Sequence, residues 1–273
     1  MHYLVAGCGY TGCRVLDRLP DGAVTATGRT TLDLDAETAS LPALPFPLTV
    51  LYTVPPPSSG HSDTRLARFL ALPGLRATRL VYLSTTGVYG DRSGGVVSEA
   101  DEPRPGSGRA ERRLDAERRL ETWSRHAGTE LLVLRVPAIY GPGRLGLDRL
   151  RSGAPVIAEA DAGPGNRIHV DDLARCCAAA MTGTAPPGIY NVGDGDHRSA
   201  TWFAKTAARL AGIAAPPEIP AADAPDRLGP ARMSFHAESR IVDTTRMREL
   251  LGVQPVFDDA EAGILASLTA GQG

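Results

Sequence analysis

The sequence predicts an α/β fold, a doubly wound parallel sheet with a smaller C-terminal lobe. Three observations carry that prediction. Apolar β runs alternate with helical segments through the first half of the chain. The first of these runs breaks directly into a glycine-patterned turn and then a helical segment. The length, 273 residues, suits one large domain with a full core better than several small modules.

Tyr3-Leu4-Val5-Ala6 reads as a buried parallel strand that runs into Gly7-Cys8-Gly9-Tyr10-Thr11-Gly12, the spacing G-x-G-x-x-G. Gly7 permits the tight turn, Gly9 lets the backbone approach phosphates, and Gly12 lets helix and strand pack closely. Helix-compatible residues follow from Cys13 to Leu19 and stop at Pro20. The N–H groups at the start of that helix then face an anion. The unit is a cradle for a dinucleotide pyrophosphate; the alternative is a glycine turn without a ligand.

Val24-Thr25-Ala26-Thr27 is the second strand and ends in Gly28-Arg29-Thr30. Leu48 to Val54 is a third β run, closed by Pro55-Pro56-Pro57. Leu66, Phe69 and Leu70 recur at helical spacing within residues 62–72. Arg79 to Ser84 is another buried strand, a polar glycine-rich loop covers residues 90–108, and a charged helix occupies residues 109–126. On that helix Leu114, Leu120 and Trp123 mark the apolar face, and the Glu and Arg residues between them make a solvated one. Leu131 to Val136 is the next strand. This alternation calls for a parallel sheet of the Rossmann type, covered on both faces, over residues 1–138 and 167–190. Residues 139–166 and 191–273, with shorter elements, are expected to form the smaller lobe. Within them, Ala214 to Pro230 reads as a surface loop, with a mobile lid as the alternative.

Composition narrows the function. The net charge of −2 offers no basic excess for nucleic acid. No apolar run approaches the ~20 residues of a membrane span. Met1-His2 leads straight into a strand, with no secretory signal, so the cytoplasm is the expected location. Cys8, Cys13, Cys176 and Cys177 make neither a C-x-x-C pair nor a metal-like cluster, so free thiols and no bound metal are expected.

An NAD-binding domain of this type usually carries Asp or Glu at the end of the second strand, on the ribose hydroxyls. Here that place holds Gly28-Arg29-Thr30, and no carboxylate appears until Asp33. A guanidinium suits the 2′-phosphate of NADP, so NADP is the expected cofactor, with NAD as the alternative. A solvated turn is the other reading of Arg29.

Several segments in one order resemble the short-chain dehydrogenase/reductase superfamily, on its extended, epimerase/dehydratase-like side. They are Gly7–Gly12, Val81 to Gly90 (VYLSTTGVYG), Glu99 with Pro103 and Pro105, Glu117, Leu134 to Arg144 (LRVPAIYGPGR), Arg167 to Leu173 (RIHVDDL), and Tyr190-Asn191-Val192-Gly193. The resemblance implies a nicotinamide cofactor over the C-terminal ends of the strands, with substrate held by the smaller C-terminal lobe, residues 139–166 and 191–273. Its expected contacts are Gly7, Cys8, Gly9, Tyr10, Thr11, Gly12, Arg29, Thr30, Val54, Thr85 and Pro137. It implies a small-molecule substrate and, from the charged helix, a homodimer.

The resemblance would also imply a Ser/Thr–Tyr–Lys set. Thr85 matches the Ser/Thr that holds the reacting oxygen. The Tyr-x-x-x-Lys positions, however, are Arg109 and Arg113. Lys205 is the only lysine of the chain and has Thr201 four residues before it, so the motif is absent throughout. In relatives the tyrosine moves the proton; arginine, protonated to above pH 12 or so, is a poor acid or base near neutrality. It can still hold an anion, which makes Arg109, Arg113, Arg144 and Arg167 candidates for substrate binding. Tyr89 and Tyr140 are candidate proton donors, and His169 with Asp171 a weaker acid/base pair.

Two functions remain. One is an NAD(P)-dependent oxidoreductase or epimerase-like enzyme acting on a small hydroxyl- or carbonyl-bearing metabolite with a non-standard proton donor. The other is a catalytically silent NADP(H)-binding sensor or regulator.

Overall fold

Six parallel strands form the centre of the computed structural model, which describes residues 1–20, 23–36, 38–229 and 238–270. In chain order the strands are β1 His2–Ala6, β2 Val24–Thr27, β3 Leu48–Tyr52, β4 Arg79–Thr85, β5 Val96–Val97, β6 Glu130–Val136, β7 Ala138–Tyr140, β8 Val156–Ile157, β9 Arg167–His169, β10 Gly188–Asn191, β11 Glu218–Ile219 and β12 Ile241–Val242. The helices are α1 Gly12–Leu16, α2 Thr64–Leu70, α3 Gly108–Ala127, α4 Leu147–Arg151, α5 Val170–Thr182, α6 Ala200–Leu210, α7 Ala224–Arg227, α8 Thr245–Glu249 and α9 Ala260–Ala270.

The central sheet runs β10-β6-β4-β3-β1-β2. The chain leaves β1 for β2 on one side and returns to β3 on the other, so the strand order reverses at β1. Such a switch point opens a crevice at the carboxyl ends of the strands. The connection from β2 to β3 holds no helix among its described residues, and its Leu32 and Leu34 pack directly against Leu4, Ala6 and Tyr52 of the sheet.

Side-chain alternation covers both faces, as a buried parallel sheet requires. From β1, Tyr3 and Val5 join Val15 of α1 and Leu173, Ala174 and Cys177 of α5. Leu4 and Ala6, pointing the other way, join Leu66 and Phe69 of α2 and Ala116 and Leu120 of α3. The same two-residue period divides β4, with Val81 and Leu83 on one side and Leu80 and Tyr82 on the other.

The long helix α3 is defined by its ends. The Ser107 hydroxyl accepts the Ala110 N–H at 3.4 Å, and Gly128 closes the helix at φ +65°. Glu117 fastens its middle to the sheet. The buried carboxylate takes two bonds from the equally buried Arg135 of β6, at 3.2 and 2.8 Å, and a third from the Ser84 hydroxyl at the end of β4.

A separate apolar cluster gathers the later elements. Tyr140, Leu145, Leu150, Val156, Ala204, Ala207, Ala260 and Ile264 pack together around α6 and α9. The Pro/Ala-rich stretch expected to be a loop contains β11, paired in parallel with β8, and the helical turn α7; its Pro230 lies outside the described residues. Among the described residues no helix is long and apolar enough to cross a membrane.

Candidate functional site

The carboxyl ends of β1, β2, β3, β4 and β6 open into one cavity of about 620 Å³. Its floor is the whole segment Gly7–Gly12. Gly7 sits at φ +100°, and a Cβ there would lie 2.6 Å from the Thr53 hydroxyl oxygen. That hydroxyl donates to the Gly7 carbonyl at 2.5 Å and ties β1 to β3. A Cβ on Gly12 would run into the same carbonyl oxygen, so the helix can start this close to the strand only with glycine. Nothing lies within 4 Å of where a Gly9 Cβ would be, so this backbone is open to the cavity. Close packing on one side and bare backbone on the other fit a pyrophosphate.

Tyr10 joins this floor to the opposite wall. Its hydroxyl donates to the Pro142 carbonyl at 3.0 Å, and its ring meets the guanidinium groups of Arg14 at 4.4 Å and Arg144 at 3.9 Å. Arg14 is also paired with Asp171 at 3.3 Å. Arg144 makes no ion pair among the described residues, and it lines the cavity.

Beyond β2 the wall is charged. Arg29, whose side chain is 79% exposed, reaches Asp35 at 3.5 Å. Arg65, in the first turn of α2, grips the same carboxylate through Nε at 2.7 Å and Nη2 at 2.6 Å. These bonds hold the Asp35 carboxyl below the usual carboxylate range. Asp33 completes this end.

Across the sheet the wall is Leu83, Ser84, Arg113, Val136 and Ile139. Arg113 donates through Nη1 to the Tyr82 hydroxyl at 3.0 Å and to the Leu83 carbonyl at 2.9 Å. The residue in the place of the missing lysine therefore lines the cavity, with its remaining N–H donors uncommitted by these two bonds.

Not every expected position lies here. Gly7 to Gly12, Arg29 and Val54 line the cavity, whereas Thr30, Thr85 and Pro137 do not; Ser84 and Val136, one residue earlier, take the places of the latter two. The Thr85 hydroxyl oxygen instead accepts the Gly87 N–H at 3.1 Å and caps the following turn. Tyr89 is fully buried, donates to Asn191 Oδ1 at 2.7 Å and covers the Arg135 guanidinium at 4.7 Å. Tyr140 turns away into the later cluster, edge-on to His169 at 5.2 Å and Phe203 at 5.3 Å, and burial pushes its phenol upward. Neither tyrosine reaches the cavity.

His169 is buried and structural. Its Nδ1 accepts the Asp171 N–H at 3.2 Å at the start of α5, its Nε2 meets the Ser267 hydroxyl at 3.2 Å, and burial lowers its pKa. Arg167 is also buried, bonded to Asp196 and to the carbonyls of Arg198 and Ser199. Arg109 is exposed on α3 and lies outside the cavity wall. The four arginines expected as one substrate set are thus split, with only Arg113 and Arg144 in the cavity.

The expectation of four free thiols is corrected as well. Cys8 and Cys13 are joined as a disulfide, and only Cys176 and Cys177 are free. The bridge forms because the turn at Gly9 folds the two Cα atoms to 4.9 Å, a proximity that linear spacing conceals. Among the described residues no group of three or more His, Cys, Asp or Glu could hold a metal ion.

Asp33, Asp35 and Arg65 were missed by motif reading. The available signal was the Asp33-x-Asp35 pair just past the end of β2. Arg65 carried no signal, because only the fold brings α2 to that carboxylate.

A sequence profile of the NAD-dependent epimerase/dehydratase family matches residues 61–193. A curated relative, a 3-diazoavenalumate denitrifying reductase from a Streptomyces species, is 32% identical over 170 residues, which are 60% of this chain and 55% of that protein. The chain spans about half the length of the curated relatives it matches. Among solved structures, a conserved protein of unknown function from Silicibacter pomeroyi superposes with a TM-score of 0.82 at 30% identity, covering 100% of this chain and 99% of its own. The UDP-glucose 4-epimerase of Thermotoga maritima, solved with UDP-glucose, superposes over 100% of this chain and 99% of its own with a TM-score of 0.73 at 19% identity, a likeness of fold.

Proposed function

Because the chain belongs to the NAD-dependent epimerase/dehydratase family, we propose that it is an NADP(H)-dependent reductase or dehydrogenase of a small carbonyl- or hydroxyl-bearing metabolite, working without a tyrosine acid. The observation that carries this reading is the single cavity joining the glycine floor to Ser84 and Arg113. Bound there, the nicotinamide supplies or accepts a hydride.

The residues divide the work along the cavity. Gly7 to Gly12 present bare backbone to the pyrophosphate, and Arg144, stacked on Tyr10 and without a carboxylate partner among the described residues, adds a cation beside it. Arg29 and Arg65 face the 2′-phosphate, with Asp35 as their counter-charge when the phosphate is absent. Arg113 offers its remaining donors to ribose hydroxyls, the part a lysine would play, but holds its proton too tightly to serve as an acid. Ser84 directs its hydroxyl proton to Glu117, whose charge Arg135 neutralises, so this hydroxyl orients rather than protonates. The proton comes from water or from a group outside the cavity wall.

The substrates most compatible with such a site take up hydride without needing a protein acid. An aryl diazonium is one, since hydride arrival is balanced by loss of N2; the Streptomyces relative is named for a diazo compound and for denitrification.

The test is direct. NADPH and NADH are titrated by fluorescence, and NADPH oxidation is followed with aldehydes, ketones, keto-sugars and aryl diazonium salts. Tighter NADPH binding with oxidation by one class supports the reading. Binding without oxidation by any class supports a sensor, and no binding of either nucleotide refutes both.

A further inference from the structure

We infer that Cys8 and Cys13 are a redox-active dithiol built into the dinucleotide loop, closed by small-molecule disulfides such as oxidised glutathione, and that closure tightens dinucleotide binding. The second half rests on the cofactor reading above; the first does not.

Cys8 is the residue between the two close glycines of the floor, and Cys13 is the second residue of α1. Their Cα atoms are 4.9 Å apart, within the range of about 4.4–6.8 Å that a bridge demands. Main-chain bonds hold this approach independently of sulfur. The Cys8 N–H donates to the Thr27 carbonyl at 2.7 Å, and the Cys13 N–H donates to the Gly9 carbonyl at 3.0 Å. The thiols therefore remain neighbours when reduced, the condition for fast reclosure.

Access separates this pair from the other cysteines. Cys13 is exposed, and Cys8 is half-buried in the cavity wall, so a reagent can reach them. Cys176 and Cys177 are fully buried between sheet and helix, beyond the reach of a thiol reagent in the folded protein. One pair is built for exchange and the other for packing.

The chemistry balances without an external metal or oxygen. One protein thiolate attacks oxidised glutathione, forming a mixed disulfide and releasing one glutathione thiolate. The second protein thiolate attacks the bound sulfur and expels the other glutathione. Two protein thiols are oxidised, one glutathione disulfide is reduced to two thiols, and the protons pass to the leaving thiolates.

The bridge spans Gly9 to Gly12, the backbone that faces the cavity. In the bridged state Gly7 keeps its left-handed turn and Gly9 stays open, so the closed ring is compatible with the cradle. Locking that loop beforehand lowers the ordering cost of binding. By linkage, bound dinucleotide shifts the pair toward disulfide by the same factor.

The full-length protein and its Cys8→Ser and Cys13→Ser variants are equilibrated in glutathione buffers, then read by intact mass and by NADPH fluorescence titration. The expected result is loss of two hydrogens in the wild type, a lasting glutathione adduct on each single variant, and tighter NADPH binding by the oxidised wild type, about threefold or more. Unchanged mass, or a lasting adduct on the wild type, overturns the dithiol. Loss of two hydrogens with equal NADPH affinity in both forms overturns the linkage. If neither form binds NADPH or NADH, the cofactor reading falls and the linkage with it, while the mass still decides the dithiol.

Discussion

Replacing Arg29 by alanine tests the proposed cofactor preference at one atom group. Its side chain is 79% exposed, so water screens whatever it attracts. One unit charge about 4 Å from another is worth about 1 kcal/mol in water, and a phosphate carrying nearly two charges about 2 kcal/mol. That corresponds to about a 30-fold change in Kd. NADH lacks the phosphate, so Arg29→Ala should reduce the ratio of NADPH to NADH affinity by about this factor, chiefly by weakening NADPH. The effect should shrink as salt is raised, because exposed charges are screened. Paired fluorescence titrations of wild type and variant, at low and high ionic strength, measure it. An unchanged ratio would refute the reasoning and leave Arg29 a solvated turn residue beside Asp35.

Three further outcomes are expected. Gly12→Val should abolish measurable dinucleotide binding in the same titration while the far-ultraviolet circular dichroism is retained, because a side chain at this site collides with the Gly7 carbonyl. Glu117→Gln should destabilise the fold by about 3–5 kcal/mol in urea denaturation, since it leaves the buried Arg135 without its counter-charge; a loss within error would show that the pair is solvated. Asp194 is 1% exposed, and burial pushes its carboxyl up to about 7. Its folded pKa lies above the unfolded value, so the folded chain holds the extra proton and stability falls as pH rises from about 4 to 7. Asp194→Asn should remove that fall, and parallel slopes for both proteins would count against it.

The fold was legible because its strands are short runs of apolar residues bounded by glycine and proline, and because G-x-G-x-x-G names a backbone conformation rather than a side-chain arrangement. Gly7 turns at φ +100° and Gly12 has no room for a Cβ beside the Gly7 carbonyl, and both demands are written locally. The loss of Tyr-x-x-x-Lys was equally plain, since it concerns residue identity alone. Placing side chains was harder. Tyr89 and Arg167 sit in segments shared with the family, yet each is spent on a buried network formed with residues far along the chain, Asn191 for Tyr89 and Asp196 for Arg167.

The sequence by itself determined the sheet, the glycine floor and the absence of the usual acid, because periodicity, backbone freedom and residue identity are local properties. Only the tertiary structure decided which charges share the cavity. Asp35 meets Arg65 across 30 positions of sequence, and Arg144 reaches Tyr10 from a different crossover. It also decided that Cys8 and Cys13 touch. Contacts of this kind depend on how turns and helices fold back upon one another, a relation in space that no spacing along the chain encodes.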